Sequence, residues 1–163
     1  MQNNFEIKKK INNINKMDLK LLEKLIQINE SSLHINVNQN GWTVRHVVCF
    51  FISINIIIRK IIDELNKEPV QSFLDSEIRK QIGMEMATLF AQRKNNLSQY
   101  LKKYSNFSIE ETNNIIAKKN SMVIRNEQGE EVLNLEDFLF LNEKKMSKLL
   151  EQLNSSKKLG YLN

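Results

Sequence analysis

The sequence predicts an all-α protein, a four-helix bundle with a crossover connection before its last helix. Four long segments repeat apolar residues at helical spacing. Only 4 glycines and 1 proline interrupt the 163 residues, and so few helix breakers favour long helices. Because no linker divides these segments, we predict one domain over residues 1–155 and a loose tail over residues 156–163.

The first helix is predicted from about Asn4 to Asn29, because apolar residues recur there every three or four positions. These residues are Ile7, Ile11, Ile14, Leu21 or Leu22, Leu25 and Ile28. The polar stretch ESSLHINVNQNG follows and is predicted to be the loop that leads to the second helix.

The second helix is predicted to begin after Thr43, whose hydroxyl can accept a hydrogen bond from the first turn. Trp42 and Val47 flank this cap where a hydrophobic staple would form. The helix should end near Asn66, because the residue before Pro69 resists the α conformation.

The most apolar run of the chain, GWTVRHVVCFFISINIIIRKII, lies in this helix and raises the question of a membrane span. A span needs about 20 predominantly apolar residues. Polar residues interrupt the run, among them Ser53, Asn55, Arg59 and Lys60. We therefore predict a buried helix and no membrane span.

Three residues carry the apolar surface of the second helix onto its otherwise polar side: Cys49, Ile52 and Ile56. A helix that is apolar almost all round is covered almost all round. Cover by a second copy of the chain predicts a homodimer through these residues, since exposed apolar patches often mark contacts. Cover by the loop between the first two helices is the alternative.

A third long helix is predicted over residues 75–104, with Gly83 as a weak point. The motif SIEE, beginning at Ser108, predicts a capping box that opens a short extra helix. The following stretch MVIRNEQGEEVLN predicts an extended segment around a turn at Gln128 and Gly129.

The fourth long helix is predicted from the cap at Asn134 to about Asn154. Leu133 and Phe138 stand where a second hydrophobic staple would form.

Charge and cysteine content restrict the partners and the compartment. The formal charge of +5 comes from lysines that are scattered along the chain, whereas nucleic-acid binders concentrate basic residues on one face or arm. The single cysteine excludes an internal disulfide and fits a reducing cytosol. The N-terminal sequence MQNNFEIKKK lacks the apolar region of a signal peptide. These features predict a cytoplasmic protein and argue against a nucleic-acid partner.

Two stretches resemble the DinB-like superfamily, which includes the YfiT-type metal-dependent hydrolases and bacterial thiol transferases. The first is GWTVRHVV at the start of the second helix, and the second is NEQGEEVLNLEDFLFLNEKKMSKLLEQL. The order of four long helices, with short additions before the last, also agrees. The resemblance implies the DinB-like fold and a transferase or hydrolase activity.

The same resemblance implies three histidine ligands for a divalent metal such as zinc or nickel. One lies in the second helix about eight residues after the tryptophan, and two lie four residues apart in the last helix. Carried over, these positions fall at Phe50, Asn142 and Met146. Phenylalanine cannot coordinate a metal, and an amide or a thioether is a poor ligand for zinc or nickel. We therefore predict neither a metal nor another cofactor.

The candidate site is a pocket bounded by Phe50, Asn142 and Met146. Asn142 falls near the centre of the last helix's apolar arc, where an unpartnered amide costs a few kcal/mol, so it should line a cavity or bond a neighbouring helix. Asn55 is the predicted partner in the second case. A relocated metal site that uses His46, Cys49 and a carboxylate is a further alternative.

Three function classes follow from these observations. The first is a non-catalytic protein that binds a small molecule or a protein partner, and it is our leading prediction. The second is a thiol-transferase or hydrolase-type enzyme with an altered site between the second and last helices. The third, suggested only by net charge, is a nucleic-acid-associated protein.

Overall fold

The computed structural model describes residues 2–68 and 71–156, with side chains from Asn4 onward, as an all-α bundle with one small sheet. The predicted tail, residues 156–163, lies almost entirely outside the described residues. The helices are α1 Gln2–Gln27, α2 Val44–Lys67, α3 Asp75–Phe90, α4 Lys94–Tyr104, α5 Ile109–Ala117 and α6 Leu135–Asn154. The strands are β1 Gln71–Leu74, β2 Met122–Arg125 and β3 Glu131–Asn134.

The helices surround one apolar core. α1 packs against α6 and α4, whereas α2 packs against α3, α4 and α6. α1 and α2 therefore face each other diagonally across the bundle. The prediction of a four-helix bundle with short additions before the last helix is confirmed, although two helices, α3 and α4, take the place of the predicted third helix.

The predicted helix caps are confirmed. The Thr43 hydroxyl accepts the backbone N–H of His46, and Asn134 accepts that of Asp137 in the same way. Ser108 and Glu111 form the predicted capping box of α5. These local signals set where α2, α5 and α6 begin.

The single third helix predicted over residues 75–104 is wrong, because the chain breaks between α3 and α4 at residues 91–93. Arg45 of α2 is buried and donates hydrogen bonds to the carbonyl oxygens of Phe90 and Gln92. Glu30 accepts the backbone N–H of Lys94, which opens α4. Side chains from other parts of the chain thus satisfy the backbone groups that the break frees.

The far end of α4 is held by a second arginine of α2. The Arg59 guanidinium donates to the carbonyl oxygen of Tyr104, the last residue of α4. It also pairs with Glu111 at 2.7 Å and lies over the Phe107 ring, 4.1 Å from the centroid. Burial opposes ionisation of Glu111, but hydrogen bonds from Arg59 and Ser108 outweigh it and lower the pKa of that carboxyl.

The extended segment before α6 is confirmed and belongs to a three-stranded sheet. β2 and β3 pair antiparallel around a turn in which Gly129 adopts a φ of +80°. β1, which the sequence analysis missed, pairs parallel to β2 along its whole length. β1 leads directly into α3, so the sheet fixes where α3 starts beside α2.

The second apolar face of α2 is covered within one chain. Cys49 and Ile52 are completely buried, and Ile56 is half-buried. The elements that pack on α2 are α3, α4, α6 and the 3-10 helix Glu30–His34, which occupies the predicted loop. Cover by the same chain leaves little of this face for a second copy, so the structure does not support the predicted homodimer through these residues.

Among the residues that the structure describes, no helix has the length and apolar character needed to cross a membrane. α2 satisfies its apolar residues by packing, as predicted, since 16 of its residues are buried.

Candidate functional site

An open cleft of about 390 Å³ lies between α2, α3 and α6. Its walls are mainly apolar or aromatic side chains, with a few charged groups at the edge. The lining residues are Trp42, Phe50, Asp75, Ile78, Arg79, Ile82, Gly83, Met86, Leu133, Phe138, Leu141, Asn142 and Lys145. A concave, mostly apolar site of this volume with a few polar groups is typical of a small-molecule pocket.

One wall of the cleft combines aromatic rings with a cation. The Trp42 and Phe50 rings meet edge to face, with centroids 5.8 Å apart. The Lys145 ammonium lies 5.0 Å from the centroid of Trp42 and 4.5 Å from that of Phe50. This stacking keeps the ammonium at the apolar wall. Partial burial lowers the pKa of Lys145.

Asn142 is half-buried and lines the cleft, but it does not bond a neighbouring helix. Its side-chain amide donates to the carbonyl oxygen of Phe138, one turn earlier in α6, at 2.8 Å. The predicted bond to Asn55 is therefore wrong. Asn142 satisfies its amide locally and remains at the cleft surface, where a ligand can reach it.

The other predicted site residues lie outside this cleft. Met146 is completely buried in the core. Cys49 is also buried, which raises the pKa of its thiol to about 12 and leaves it protonated at neutral pH. His46 packs against Phe90 and accepts the backbone N–H of Thr43 at Nδ1, so its ring completes the cap of α2. Burial lowers the pKa of His46, which favours the neutral ring that this bond requires.

The three positions of the resembled metal site do not fit a divalent metal. Phe50 offers no donor atom, the Met146 thioether is a poor ligand for zinc or nickel, and the Asn142 amide is neutral. The Lys145 ammonium close to Phe50 adds a positive charge that opposes binding of a cation. Over the part of the chain that the structure describes, no three His, Cys, Asp or Glu side chains converge elsewhere to replace these positions.

A buried polar pair that the sequence did not predict, Asp18 and Asn55, lies in the middle of the core. The Asn55 amide of α2 donates to Oδ2 of Asp18 in α1 at 2.8 Å, and both residues are completely buried. Within the described residues, neither Oδ1 of Asp18 nor Oδ1 of Asn55 has a hydrogen-bond partner.

Burial raises the pKa of Asp18 to about 7, although the Asn55 hydrogen bond and the Arg59 charge act in the opposite direction. A neutral Asp18 carboxyl with its proton on Oδ1 would turn one of these two unpartnered oxygens into a donor and leave the Asn55 oxygen as the acceptor. This pair links the diagonal helices α1 and α2 through the core, and it does not border the cleft.

The sequence contains a signal for this pair. Asp18 stands four residues after Ile14 and seven before Leu25, on the apolar stripe of α1. A carboxyl at such a position is predicted to be buried and to need a partner. The helical spacing alone does not identify Asn55 as that partner, because it gives no information about the diagonal helix.

A larger groove of about 700 Å³ lies between the end of α2, β1 and α3. Its lining includes acidic and basic side chains that pair with one another. Lys60 bonds Glu85 at 2.6 Å, and Lys67 bonds Glu64 at 3.3 Å. Both lysines of this groove are thus paired, and its lining is more strongly charged than that of the apolar cleft, which is the stronger candidate for a ligand site.

Comparison with known proteins supports the fold and leaves the activity open. No protein-family model matches the chain, and a search of curated proteins finds no match. Among solved structures, the chain is similar to the crystal structure of the mycothiol-dependent maleylpyruvate isomerase, with a TM-score of 0.59 and 12% sequence identity. The match covers 90% of this chain and 60% of the isomerase chain. The chain thus shares the helical fold of that isomerase and spans about three fifths of its length.

Proposed function

We propose that this chain is a non-catalytic member of the DinB-like superfamily that binds a small organic molecule in the cleft between α2, α3 and α6. The observation that carries the proposal is the cleft itself. Two of the three positions carried over from the superfamily's metal ligands, Phe50 and Asn142, line this cleft, which has a volume of about 390 Å³. The Phe50 ring and the Lys145 ammonium at its wall favour an organic ligand over a metal ion.

The lining supports binding without catalysis. Apolar and aromatic side chains supply most of the contact surface, and binding there is favoured by the area removed from water. The cysteine that could act as a nucleophile is buried and protonated, and the histidine that could act as a base caps α2. Neither residue lines the cleft.

Gly83 offers a way to close the cleft without disturbing the core. It lies in α3, lines the cleft, and a Cβ added there meets nothing within 4 Å. A leucine at this position would extend into the open volume. Ala87, one turn further along α3, does not line the cleft and is exposed, so Ala87→Leu is a matched control.

The test uses the chain's single tryptophan, because Trp42 is part of the cleft wall. Titration with the uncharged fluorescent probe N-phenyl-1-naphthylamine should quench Trp42 emission and saturate at one probe per chain. Gly83→Leu should weaken this binding at least tenfold, which corresponds to about 1.4 kcal/mol, whereas Ala87→Leu should leave it unchanged. Binding that is equal in both variants would show that the probe binds elsewhere and would overturn the proposal.

A second candidate function is a thiol-transferase or hydrolase-type enzyme with an altered site in the same cleft. The fold likeness to a mycothiol-dependent isomerase favours it. Titration with Zn²⁺ and Ni²⁺, with Tm as the readout, separates the two candidates, because a ligand that binds only the folded state raises Tm. We expect no rise with a tag-free protein. A saturable rise at one metal per chain would favour the enzyme.

A further inference from the structure

The apolar cleft adjoins a second, lysine-lined cleft of about 380 Å³ along α6. Three residues line both: Trp42, Leu141 and Lys145. The second cleft is otherwise lined by Asn38, Asn40, Lys144, Lys148, Leu149 and Gln152. The two clefts therefore form one surface whose apolar and basic halves meet at Trp42 and Lys145.

The basic half has no balancing carboxylate in its lining. It holds Lys144, Lys145 and Lys148, and no ion pair within the described range of the chain involves any of them. By contrast, the other two charged residues of the apolar half, Arg79 and Asp75, pair with each other at 2.8 Å. The positive charge of the combined surface is thus concentrated at one end.

Leu141 marks the boundary between the halves. Its side chain is 54% exposed although it borders both clefts. A ligand that crosses from the apolar half to the basic half would cover Leu141 and remove this apolar surface from water.

We propose that the ligand is an amphiphile with an anionic end group. Its apolar chain occupies the cleft between α2, α3 and α6, and its anionic group binds Lys145 and the neighbouring Lys144. This inference rests on the proposed function and adds the chemical class of the ligand. The occupant is a single soluble molecule, because the apolar part of the site is a concave cleft between helices.

The test compares ligands that share one alkyl chain and differ only in the end group. Dodecanoate, dodecanol and dodecyltrimethylammonium are each titrated below micelle-forming concentration, with Trp42 fluorescence as the readout. We expect dodecanoate to bind about tenfold more tightly than dodecanol, since a hydrogen bond to a charged group contributes about that much. The cationic ligand should bind most weakly of the three.

Lysine variants identify the end-group site. Lys145→Gln should lower dodecanoate affinity about tenfold and leave dodecanol affinity unchanged, because it removes the charge and keeps most of the side chain. The matched control is Lys102→Gln, at an exposed lysine in the last turn of α4. It should affect neither ligand.

Additional control ligands distinguish binding of an anionic amphiphile from binding of a simple anion or of a membrane surface. Inorganic phosphate and acetate carry the charge without the chain, and neither should perturb Trp42 at millimolar concentration. Anionic vesicles of phosphatidylcholine and phosphatidylglycerol should not sediment the protein. Phosphate binding as tight as that of dodecanoate, or sedimentation that Lys145→Gln abolishes, would overturn the inference in favour of a simple anion site or a membrane surface.

Failure of this inference is distinguishable from failure of the proposed function. Equal binding of dodecanoate and dodecanol, both weakened by Gly83→Leu, would overturn the anionic class and leave a ligand-binding cleft. No binding of the alkyl ligands together with no binding of the uncharged naphthylamine probe would overturn both.

Discussion

Asp18 is a carboxyl group in the middle of an apolar core, where the charged form is costly. Its only hydrogen bond is the one from Asn55, and one carboxyl oxygen has no partner among the described residues. Burial raises its pKa from 3.8 to about 7. The folded state therefore holds this proton more tightly than the unfolded state does, and folding favours the neutral carboxyl.

Stability should consequently fall as the pH rises through the range set by Asp18. The contribution of the neutral carboxyl is fully present below pH 4 and is lost by about pH 7, a change of roughly 4 kcal/mol. Asp18→Asn should remove this pH dependence and stabilise the protein at pH 8, with little effect at pH 4. Urea unfolding followed at both pH values measures the difference.

Asp63→Asn is the control for this experiment, because Asp63 is an exposed carboxyl on α2. It should leave the pH dependence as it is in the wild type. An Asp18→Asn protein that loses stability equally at both pH values would show that Asp18 is ionised in the native state.

At the residue scale, the sequence indicates on which face of a helix a residue lies better than it indicates which residue that side chain contacts. Phe50 and Asn142 line one cleft, whereas Met146, the third position carried over with them, is buried. His46 and Cys49 do not join them, because His46 caps α2 and Cys49 packs in the core. A helical pattern gives the side of a helix on which a residue lies. The residue that it meets depends on how the helices pack, and a single sequence does not contain that information in a readable form.

At the scale of single elements, the break between α3 and α4 shows why a continuous helical pattern can still be interrupted. Neither glycine nor proline stands at residues 91–93, and Gly83 lies inside α3. The break is stabilised by the buried guanidinium of Arg45 and by the carboxylate of Glu30. Caps are local and were predicted, whereas this interruption depends on residues far away in sequence.

Arg45→Met should therefore destabilise the protein by about 2–3 kcal/mol, because it leaves the Phe90 and Gln92 carbonyls without their donor. Equilibrium unfolding in urea measures this loss. Arg93→Met changes an exposed arginine in the same junction and should cost less than about 0.5 kcal/mol. Equal losses in the two variants would contradict the role given to Arg45.

Gly83 should also be the position in α3 where a single methyl group stabilises most. Gly83→Ala should raise the free energy of unfolding by roughly 0.5–1 kcal/mol, since glycine is a poor helix former and the added Cβ meets no atom within 4 Å. Ala87→Gly is the reverse change one turn away and should lower stability by a similar amount. Thermal unfolding compares the two, and a loss of stability in Gly83→Ala would indicate a crowded site.

At the scale of the whole molecule, one chain suffices to bury the apolar surface of α2. Cys49 is fully buried by its own chain, and its thiol is protonated at neutral pH. Its reaction with a thiol reagent should therefore require unfolding, and the rate should be independent of protein concentration. A rate that falls as protein concentration rises would instead show that a second copy protects Cys49.

The fold class was predictable from the sequence, but which helices and strands lie next to each other was not. Periodicity, caps and the shortage of glycine and proline were enough to predict an all-α bundle. They were not enough to predict that α1 and α2 are diagonal, or that β1 pairs parallel to β2. A four-residue strand has too few positions to show a pattern, and its partner lies about fifty residues further along the chain.

The two arginines of α2 have a consequence for the continuity of the chain. Arg45 binds the carbonyl that precedes α4, and Arg59 binds the carbonyl that ends it, so both ends of α4 are tied to the same helix. The peptide link between α3 and α4 is then not what positions α4. A protein made as two fragments separated at residues 91–93 should reassemble into the native bundle, and new termini at this junction should be tolerated in a circular permutant.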